Sequence, residues 1–158
     1  MSPIDWAMRP LKKYAVFSGR APRAEYWWFY LLIVVAYLVA MIVDSLIGLA
    51  ILGPYGILTL IVALGVLIPS LAASVRRLHD TNRSGWWLLI VAVPYFIVGI
   101  MAGRAMASGD TGGMAAAGLF GILALVAAVV ILIFMVLPGT KGDNRFGPDP
   151  YASEPIHA

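Results

Sequence analysis

The sequence predicts an all-α, polytopic membrane protein with four transmembrane helices in a compact bundle. Hydrophobic residues make up 61% of its 158 residues and charged residues 12%, whereas a soluble domain has about 25% charged residues. Mean hydropathy is +0.90. Four apolar stretches are long enough to cross a bilayer, which takes about 20 residues. The composition argues against a soluble domain and against a disordered chain. We expect one membrane domain, residues 1–150, and a short C-terminal segment, residues 151–158.

The amino-terminal segment, residues 2–17, is expected to form a short helix in the membrane interface. Ser2 is a suitable N-cap, Pro3 fits the first turn, and Asp5 favours the positive end of the helix dipole. Apolar side chains such as Trp6 would face the acyl chains, while the basic side chains would meet the headgroups. A plain surface helix is the alternative.

Four apolar stretches follow, and only the first contains a charged residue, Asp44. Because Asp44 lies about 27 Å beyond Tyr26 along a helix, we expect it at the outer edge of the membrane, in contact with water. Gly53 and Pro54 separate the first two stretches and predict a tight helical hairpin. The third stretch is the shortest and contains Pro94. The predicted spans are residues 26–52, 55–75, 86–102 and 114–137.

The basic residues predict how these spans are oriented. Ten of the 11 Lys and Arg residues precede the first span, separate the second from the third, or follow the fourth, and Arg104 falls on the opposite side. Segments rich in Lys and Arg stay on the cytoplasmic side of a membrane. Since the number of spans is even, we expect both termini to be cytoplasmic.

The densest group of polar side chains lies at these predicted cytoplasmic ends. Three segments enter or leave the membrane there, so their side chains should lie near one another. An unpaired buried carboxylate is costly, so we expect Glu25 and Asp80 to pair with arginines, and Glu25 to reach an arginine of the 76–83 loop. The candidate binding residues are Arg20, Arg23, Glu25, Arg76, Arg77, His79, Asp80, Arg83, Asn144 and Arg145.

An arginine cluster at a membrane surface predicts a non-enzymatic role. Guanidinium groups bind phosphate bidentately, so the leading hypothesis is that this face engages anionic lipid headgroups or a protein partner. The alternative is a purely structural cluster, an orientation signal fastened by salt bridges. The net charge of +3 fits basic loops facing anionic lipid, and we expect no nucleic acid partner.

Two other functions stay open. A membrane enzyme acting on a lipid headgroup would use His79 with Asp80 or Glu25 as its acid–base pair. A small-solute transporter or channel would need an oligomer, since four spans form only a thin pore. Its polar residues would be Asp44, Ser45, Thr59, Ser70 and Ser74. The chain has no Cys and two His residues, so we predict no metal site, no cofactor and no catalytic residue.

The last span carries a ridge of small residues. Gly113, Ala117 and Gly121 recur every four residues, and such a ridge lets two helices approach closely. Contact within the chain is the favoured interpretation, with a homo-oligomer or a membrane-protein partner as the alternative.

Three motifs resemble one known family. They are Phe17–Arg20 with Arg23–Trp27, the continuous motif Arg76–Trp87, and the closing motif Pro138–Pro150. Together they resemble the bacterial inner-membrane proteins grouped as domain of unknown function 805, over roughly residues 17–150. The resemblance implies a small four-span protein of the bacterial inner membrane. It implies no activity, because the family has no settled biochemical role and no agreed catalytic residues.

Overall fold

The structure is a computed structural model that describes residues 1–52 and 55–152. This part of the chain contains five α-helices, two short strands and a 3₁₀ turn, Gly85–Leu88. The helices are α1 Pro3–Lys12, α2 Arg23–Leu46, α3 Ile57–Asp80, α4 Leu89–Ser108 and α5 Thr111–Val136, and the strands are β1 Ala50–Leu52 and β2 Tyr55–Gly56. Helices α2, α3 and α5, and α4 together with the 3₁₀ turn, are long and apolar enough to span a membrane. The prediction of four long apolar helices is confirmed.

The four long helices form two hairpins that meet mainly at one end. Helix α2 packs along α3, and α4 packs along α5, whereas contacts between α3 and α5 are few. At the meeting point Tyr26, Leu78 and Met135 form a buried cluster. Most of α4 is uncovered by protein: Tyr95 and Phe96 are 73% and 71% exposed. In a membrane, lipid would cover these side chains. Protein side chains pack best at the end where the hairpins meet.

Helix α1 begins at the predicted cap. Ser2 Oγ accepts a hydrogen bond from Asp5 N at 3.2 Å, and the Asp5 carboxylate accepts one from Ser2 N at 3.0 Å. This reciprocal pair is a capping box, and the hydrogen bonds from Ser2 lower the pKa of Asp5. The helix ends at Lys12, so residues 13–17 are not part of it. One side of α1 is buried against α2, with Trp6 and Ala7 facing inward, so the expectation that Trp6 faces the acyl chains is wrong.

Helix α2 ends six residues before the end of the predicted first span. Gly48 has φ +70°, and Leu49 N donates to Asp44 O at 2.9 Å. This is the Schellman pattern, which ends a helix at a residue in the left-handed region. The following residues pair as β1 and β2. The turn predicted at Gly53 and Pro54 lies outside the described residues.

Asp44 is buried, so the prediction that it contacts water is wrong. Its carboxylate accepts hydrogen bonds from Leu58 N at 3.0 Å, from Thr59 N at 2.8 Å and from Thr59 Oγ1 at 2.7 Å. These amides belong to the first turn of α3, where helical N–H groups have no partner within the helix. Asp44 therefore caps α3 from the last turn of α2 and closes the hairpin.

Helix α3 continues five residues beyond the predicted second span. Arg76 and Arg77, expected in a loop, lie on its last two turns. The helix ends where Asn82 takes φ +59°, with Arg83 N donating to Leu78 O and Asn82 N to His79 O, both at 2.9 Å. Arg is a good helix former, so the helix can continue past the apolar stretch. The length of an apolar stretch indicates how much of a helix contacts lipid, and the helix itself can be longer.

The link between α4 and α5 is shorter than the gap at residues 103–113 that separates the predicted third and fourth spans. Gly109 takes φ +69° after Ser108, and Asp110 caps α5 by accepting from Gly112 N at 3.0 Å. A Cβ added to Gly113 would lie 3.1 Å from the Cβ of Ala105. The small residue at Gly113 therefore lets α5 approach α4 within the chain, as favoured from the sequence.

A hydrogen bond from Tyr14 replaces a helical hydrogen bond that Pro69 removes from α3. Proline has no N–H, so Pro69 leaves the carbonyl of Gly65, four residues earlier, without its helical donor. Tyr14 Oη donates to Gly65 O at 2.9 Å. Unsatisfied backbone groups are costly where water is excluded, so this contact joins the segment after α1 to α3.

Tyr14→Phe is expected to lower the free energy of unfolding by about 0.5–1.5 kcal/mol, because it removes one neutral hydrogen bond and keeps the ring. The measurement is denaturant unfolding in mixed micelles, followed by circular dichroism. Tyr95→Phe, at an exposed site on α4, is the matched control. Equal stabilities for the two variants would contradict the role of Tyr14.

Candidate functional site

The candidate site begins with two consecutive arginines on the last turns of α3. Arg76 and Arg77 are both fully buried. Consecutive helical residues point about 100° apart, so the two guanidinium groups reach different partners. Each of them meets one buried carboxylate, and together they join all three polar segments identified in the sequence.

Arg76 binds the first turn of α2. Its Nη2 donates to Glu25 Oε1 at 2.8 Å, and its Nη1 donates to Val16 O. The other Glu25 oxygen forms an ion pair with Arg9 Nε at 3.4 Å, which draws α1 into the same network. The prediction that Glu25 reaches an arginine of residues 76–83 is confirmed.

Asp80 lies between two arginines. Its Oδ1 accepts from Arg20 Nε at 3.0 Å, and its Oδ2 accepts from Arg77 Nη1. All three side chains are buried. Burial of these charges is tolerable because each carboxylate oxygen has a charged donor.

The same two arginines hold the chain that follows α5. Arg20 donates to Thr140 O at 2.5 Å and to Gly142 O at 2.6 Å. Arg77 donates to Met135 O at 3.1 Å and to Leu137 O. The Arg77 bonds satisfy carbonyls at the end of α5 that have no helical donor, and the Arg20 bonds reach further along the closing motif, residues 138–150, which we call the tail. The two arginines therefore act as a clamp on the tail.

His79 also fastens the tail. Its Nδ1 lies 3.1 Å from Gly19 O, and its ring stacks on Phe146 with centroids 3.9 Å apart. Asn144 Nδ2 donates to His79 O at 2.9 Å. The partner of Nδ1 is thus a backbone carbonyl. In an acid–base pair with Asp80 or Glu25, that partner would be a carboxylate.

The closing motif forms a compact turn around Asp149. Its carboxylate accepts from Gly142 N at 2.8 Å and from Tyr151 N at 3.0 Å. The hydrogen bonds from Tyr151 and Gly142 lower the pKa of Asp149. Asp149 N donates to Asp143 Oδ1 at 3.1 Å. The tail therefore has its own internal order beside the clamp.

A second group of cations remains at the surface of this end. Arg23 is exposed, with its Nε donating to Leu137 O at 3.1 Å. Arg83 is half-buried over the ring of Phe134, and Arg145 is exposed over the ring of Phe146. Lys141, which was not among the candidate residues, is also exposed. The fold places Lys141 on the tail beside Arg20 and Arg23. In the sequence, only its place in the closing motif indicated that it belongs to this group.

A cavity of about 210 Å³ opens between the clamp and these surface cations. Arg20, Arg23 and Lys141 contribute three positive charges to its wall, and Asp80 and Asp149 contribute two negative ones. Pro138, Gly139, Thr140 and Tyr151 complete the wall. In the described part of the chain, no group of three or more His, Cys, Asp or Glu side chains could hold a metal ion. The arrangement suits an anion better than a cation, since Arg77 adds a further positive charge behind Asp80.

Comparisons with known proteins point to one family. The family model described as "Protein of unknown function (DUF805)" matches residues 14–148. "Inner membrane protein YhaH" of Escherichia coli (strain K12) is 35% identical over 147 residues, which cover 93% of this chain and 97% of that protein. "Inner membrane protein YhaI" of the same strain is 33% identical over 147 residues, covering 93% and 96%. No solved structure matches the chain significantly.

Proposed function

This chain belongs to the family described as protein of unknown function (DUF805), and from that premise we propose that it is a non-enzymatic inner-membrane protein whose basic face binds anionic lipid headgroups. Its relatives are named inner membrane proteins. We place this basic face, with both termini, on the cytoplasmic side. The start of α2 and the ends of α3 and α5 lie together there, and Arg104 lies at the far end of α4.

One observation carries the proposal: two carboxylates at this end are buried in ion pairs with arginines, so the charge left at the surface is mainly positive. The carboxylates of Glu25 and Asp80 are buried with arginines, whereas Arg23, Lys141 and Arg145 are exposed. A surface with excess positive charge attracts anionic headgroups by about 1 kcal/mol per Lys or Arg. Asp143 is exposed as well and offsets part of this charge.

Helix α1 supports the proposal as an interfacial helix. Ile4 is 74% exposed, while Arg9 and Lys12 lie in its last turn. Lys13 follows, and desolvation lowers its pKa. An exposed apolar side chain and nearby cations on one short helix suit the boundary between acyl chains and headgroups. A protein partner on the same face is the alternative occupant.

The other functions have less support. For a transporter, the buried polar pair Asp44 and Thr59 would be the natural path, but the pair is committed to capping α3. For an enzyme, His79 would be the base, but its Nδ1 lies against a backbone carbonyl. The carboxylates proposed as partners of His79, those of Glu25 and Asp80, are bound to arginines instead.

The test compares the association of spin-labelled phosphatidylglycerol and phosphatidylcholine with the reconstituted protein. Arg83→Gln with Arg145→Gln should reduce the preference for phosphatidylglycerol by up to about fivefold per charge, since each is worth about 1 kcal/mol. Added salt should weaken the preference of the wild type.

Arg104→Gln is the matched control for that measurement, because it removes one charge at the opposite end of the structure. It should leave the preference unchanged in the cytoplasmic leaflet. A wild type that shows no preference between the two lipids, or a double variant that keeps the full preference, would overturn the proposed function.

A further inference from the structure

We propose that one anionic glycerophospholipid binds at Arg23, with its phosphate in the 210 Å³ cavity and an acyl chain along the adjoining surface of α5. The inference rests on the proposed function and deepens it, from a surface that attracts many headgroups to a site that holds one lipid.

The polar half of this site is the cavity itself. Arg23 and Lys141 are exposed side chains on its wall, and Arg20 lies behind them. The carboxylate of Asp80 is neutralised by Arg20 and Arg77 together. The Asp149 carboxylate also lies on the wall, where it accepts hydrogen bonds from Gly142 N and Tyr151 N. The cavity is smaller than the roughly 300–1,000 Å³ of pockets that hold drug-sized molecules. Its size and charge therefore suit a single phosphate group.

The apolar half is a groove of about 340 Å³ that begins where the cavity ends. Arg23 and Pro138 border both spaces. The rest of the groove is formed by Leu132, Ile133, Val136 and Leu137. These side chains lie on the last turns of α5 and beyond it, where the helix would leave the hydrocarbon region.

A second groove provides room for another chain. Leu132 borders it as well as the first, and it runs between the two hairpins with a volume of about 420 Å³. Its wall is mostly apolar, with the hydroxyls of Tyr30 and Ser74 bonded to each other at 3.2 Å. A diacyl lipid at Arg23 would thus have an apolar path on either side of Leu132.

Arg23 lies at the junction of the polar and apolar halves. Its Nε donates to Leu137 O at 3.1 Å, which fixes the side chain at the end of α5. The guanidinium group therefore sits at the boundary between the polar cavity and the apolar groove. A free phosphate would use only the cavity, whereas a lipid would use both the cavity and the groove, so the combination favours a lipid.

The experiment titrates the whole protein, purified in a neutral detergent, with phosphatidylglycerol and counts bound lipids by native mass spectrometry. We expect one lipid to bind the wild type with a distinct affinity. Lys141→Gln, and Arg23→Gln with Lys141→Gln, should weaken it by about tenfold or more, because each charge lost removes a charge-assisted hydrogen bond. Arg104→Gln, which removes a charge near the far end of α4, should leave the affinity unchanged.

Two further arms separate the sources of the phosphate. Val136→Trp should fill the groove and weaken phosphatidylglycerol, while leaving any binding of glycerol phosphate intact. If glycerol phosphate binds the wild type as tightly as the lipid, the lipid assignment is overturned.

The lipid site also fails if Lys141→Gln, which removes an exposed side chain and keeps the fold, binds phosphatidylglycerol as the wild type does. In that case the proposed binding of anionic headgroups by the basic face would still be supported if the wild type prefers phosphatidylglycerol in vesicles and Arg83→Gln with Arg145→Gln loses that preference.

Discussion

Asp80→Ala is expected to lower the free energy of unfolding by about 3–5 kcal/mol, the usual cost of leaving a buried charge without its partner. The substitution removes the carboxylate that both Arg20 and Arg77 contact. Both arginines would then be buried with backbone carbonyls as their acceptors. The loss should also loosen the tail, because the two arginines hold the chain after α5.

The measurement is denaturant unfolding in mixed micelles, with limited proteolysis to report on the tail. Asp143→Ala is the matched control, since Asp143 is exposed to solvent and its carboxylate accepts a single hydrogen bond, from Asp149 N at 3.1 Å. We expect it to cost less than about 1 kcal/mol. If Asp80→Ala is as mild as Asp143→Ala, the clamp does not stabilise the fold.

The tail motif is explained by its approach to Asp80. A Cβ at Gly139 would overlap the Asp80 carboxylate, and Thr140 N donates to Asp80 O at 2.8 Å. Only glycine allows the backbone to pass this close to a side chain. The Pro138–Gly139 step therefore does more than end α5: it brings the tail onto the end of α3.

The sequence predicts the parts of this fold that depend on local physics. Hydrocarbon rejects charge, so long apolar stretches mark the four long helices. Unpaired buried carboxylates are costly, so the sequence alone is enough to expect Glu25 and Asp80 to meet arginines. Both expectations hold, the first in α2 to α5 and the second in two buried ion pairs.

Contacts between distant segments could not be predicted in the same way. The capping of α3 by Asp44 depends on the angle at which the first hairpin closes. The bond from Tyr14 to Gly65 spans 51 positions. Pro69 indicates a carbonyl without a helical donor, but many side chains could have supplied one. The sequence thus indicates which backbone group lacks a hydrogen-bond partner, but the fold determines which side chain supplies that partner.

The fold also separates arginines that look alike in sequence. Arg76 and Arg77 are interior, whereas Arg23 and Arg145 keep exposed side chains. Neutralising Arg76 and Arg77 would therefore disturb folding before it tested lipid binding. The surface cations, with Lys141, are the proper targets for that question.

Arg76→Met is expected to cost about 3–5 kcal/mol, because it leaves Glu25 fully buried with Arg9 at 3.4 Å as its ion-pair partner. Glu25→Met should be costly for the converse reason. The double variant, however, removes both charges and replaces them with apolar side chains that can fill the space, which is often close to neutral for a buried ion pair. Its cost should therefore fall below the sum of the two single costs by about 0.5–3 kcal/mol.

A double-mutant cycle of unfolding free energies in mixed micelles measures this difference. Arg145→Met combined with Glu25→Met is the control cycle, since Arg145 is exposed and bonds to Asn82 O, and its effects should add within about 0.5 kcal/mol. Additive costs for Arg76 and Glu25 would mean that the ion pair does not couple α2 to α3. A coupling of about 0.5–3 kcal/mol would instead show that the pair joins α2 to α3. Because Arg9 contacts the same carboxylate, α1 shares this buried charge with the other two helices.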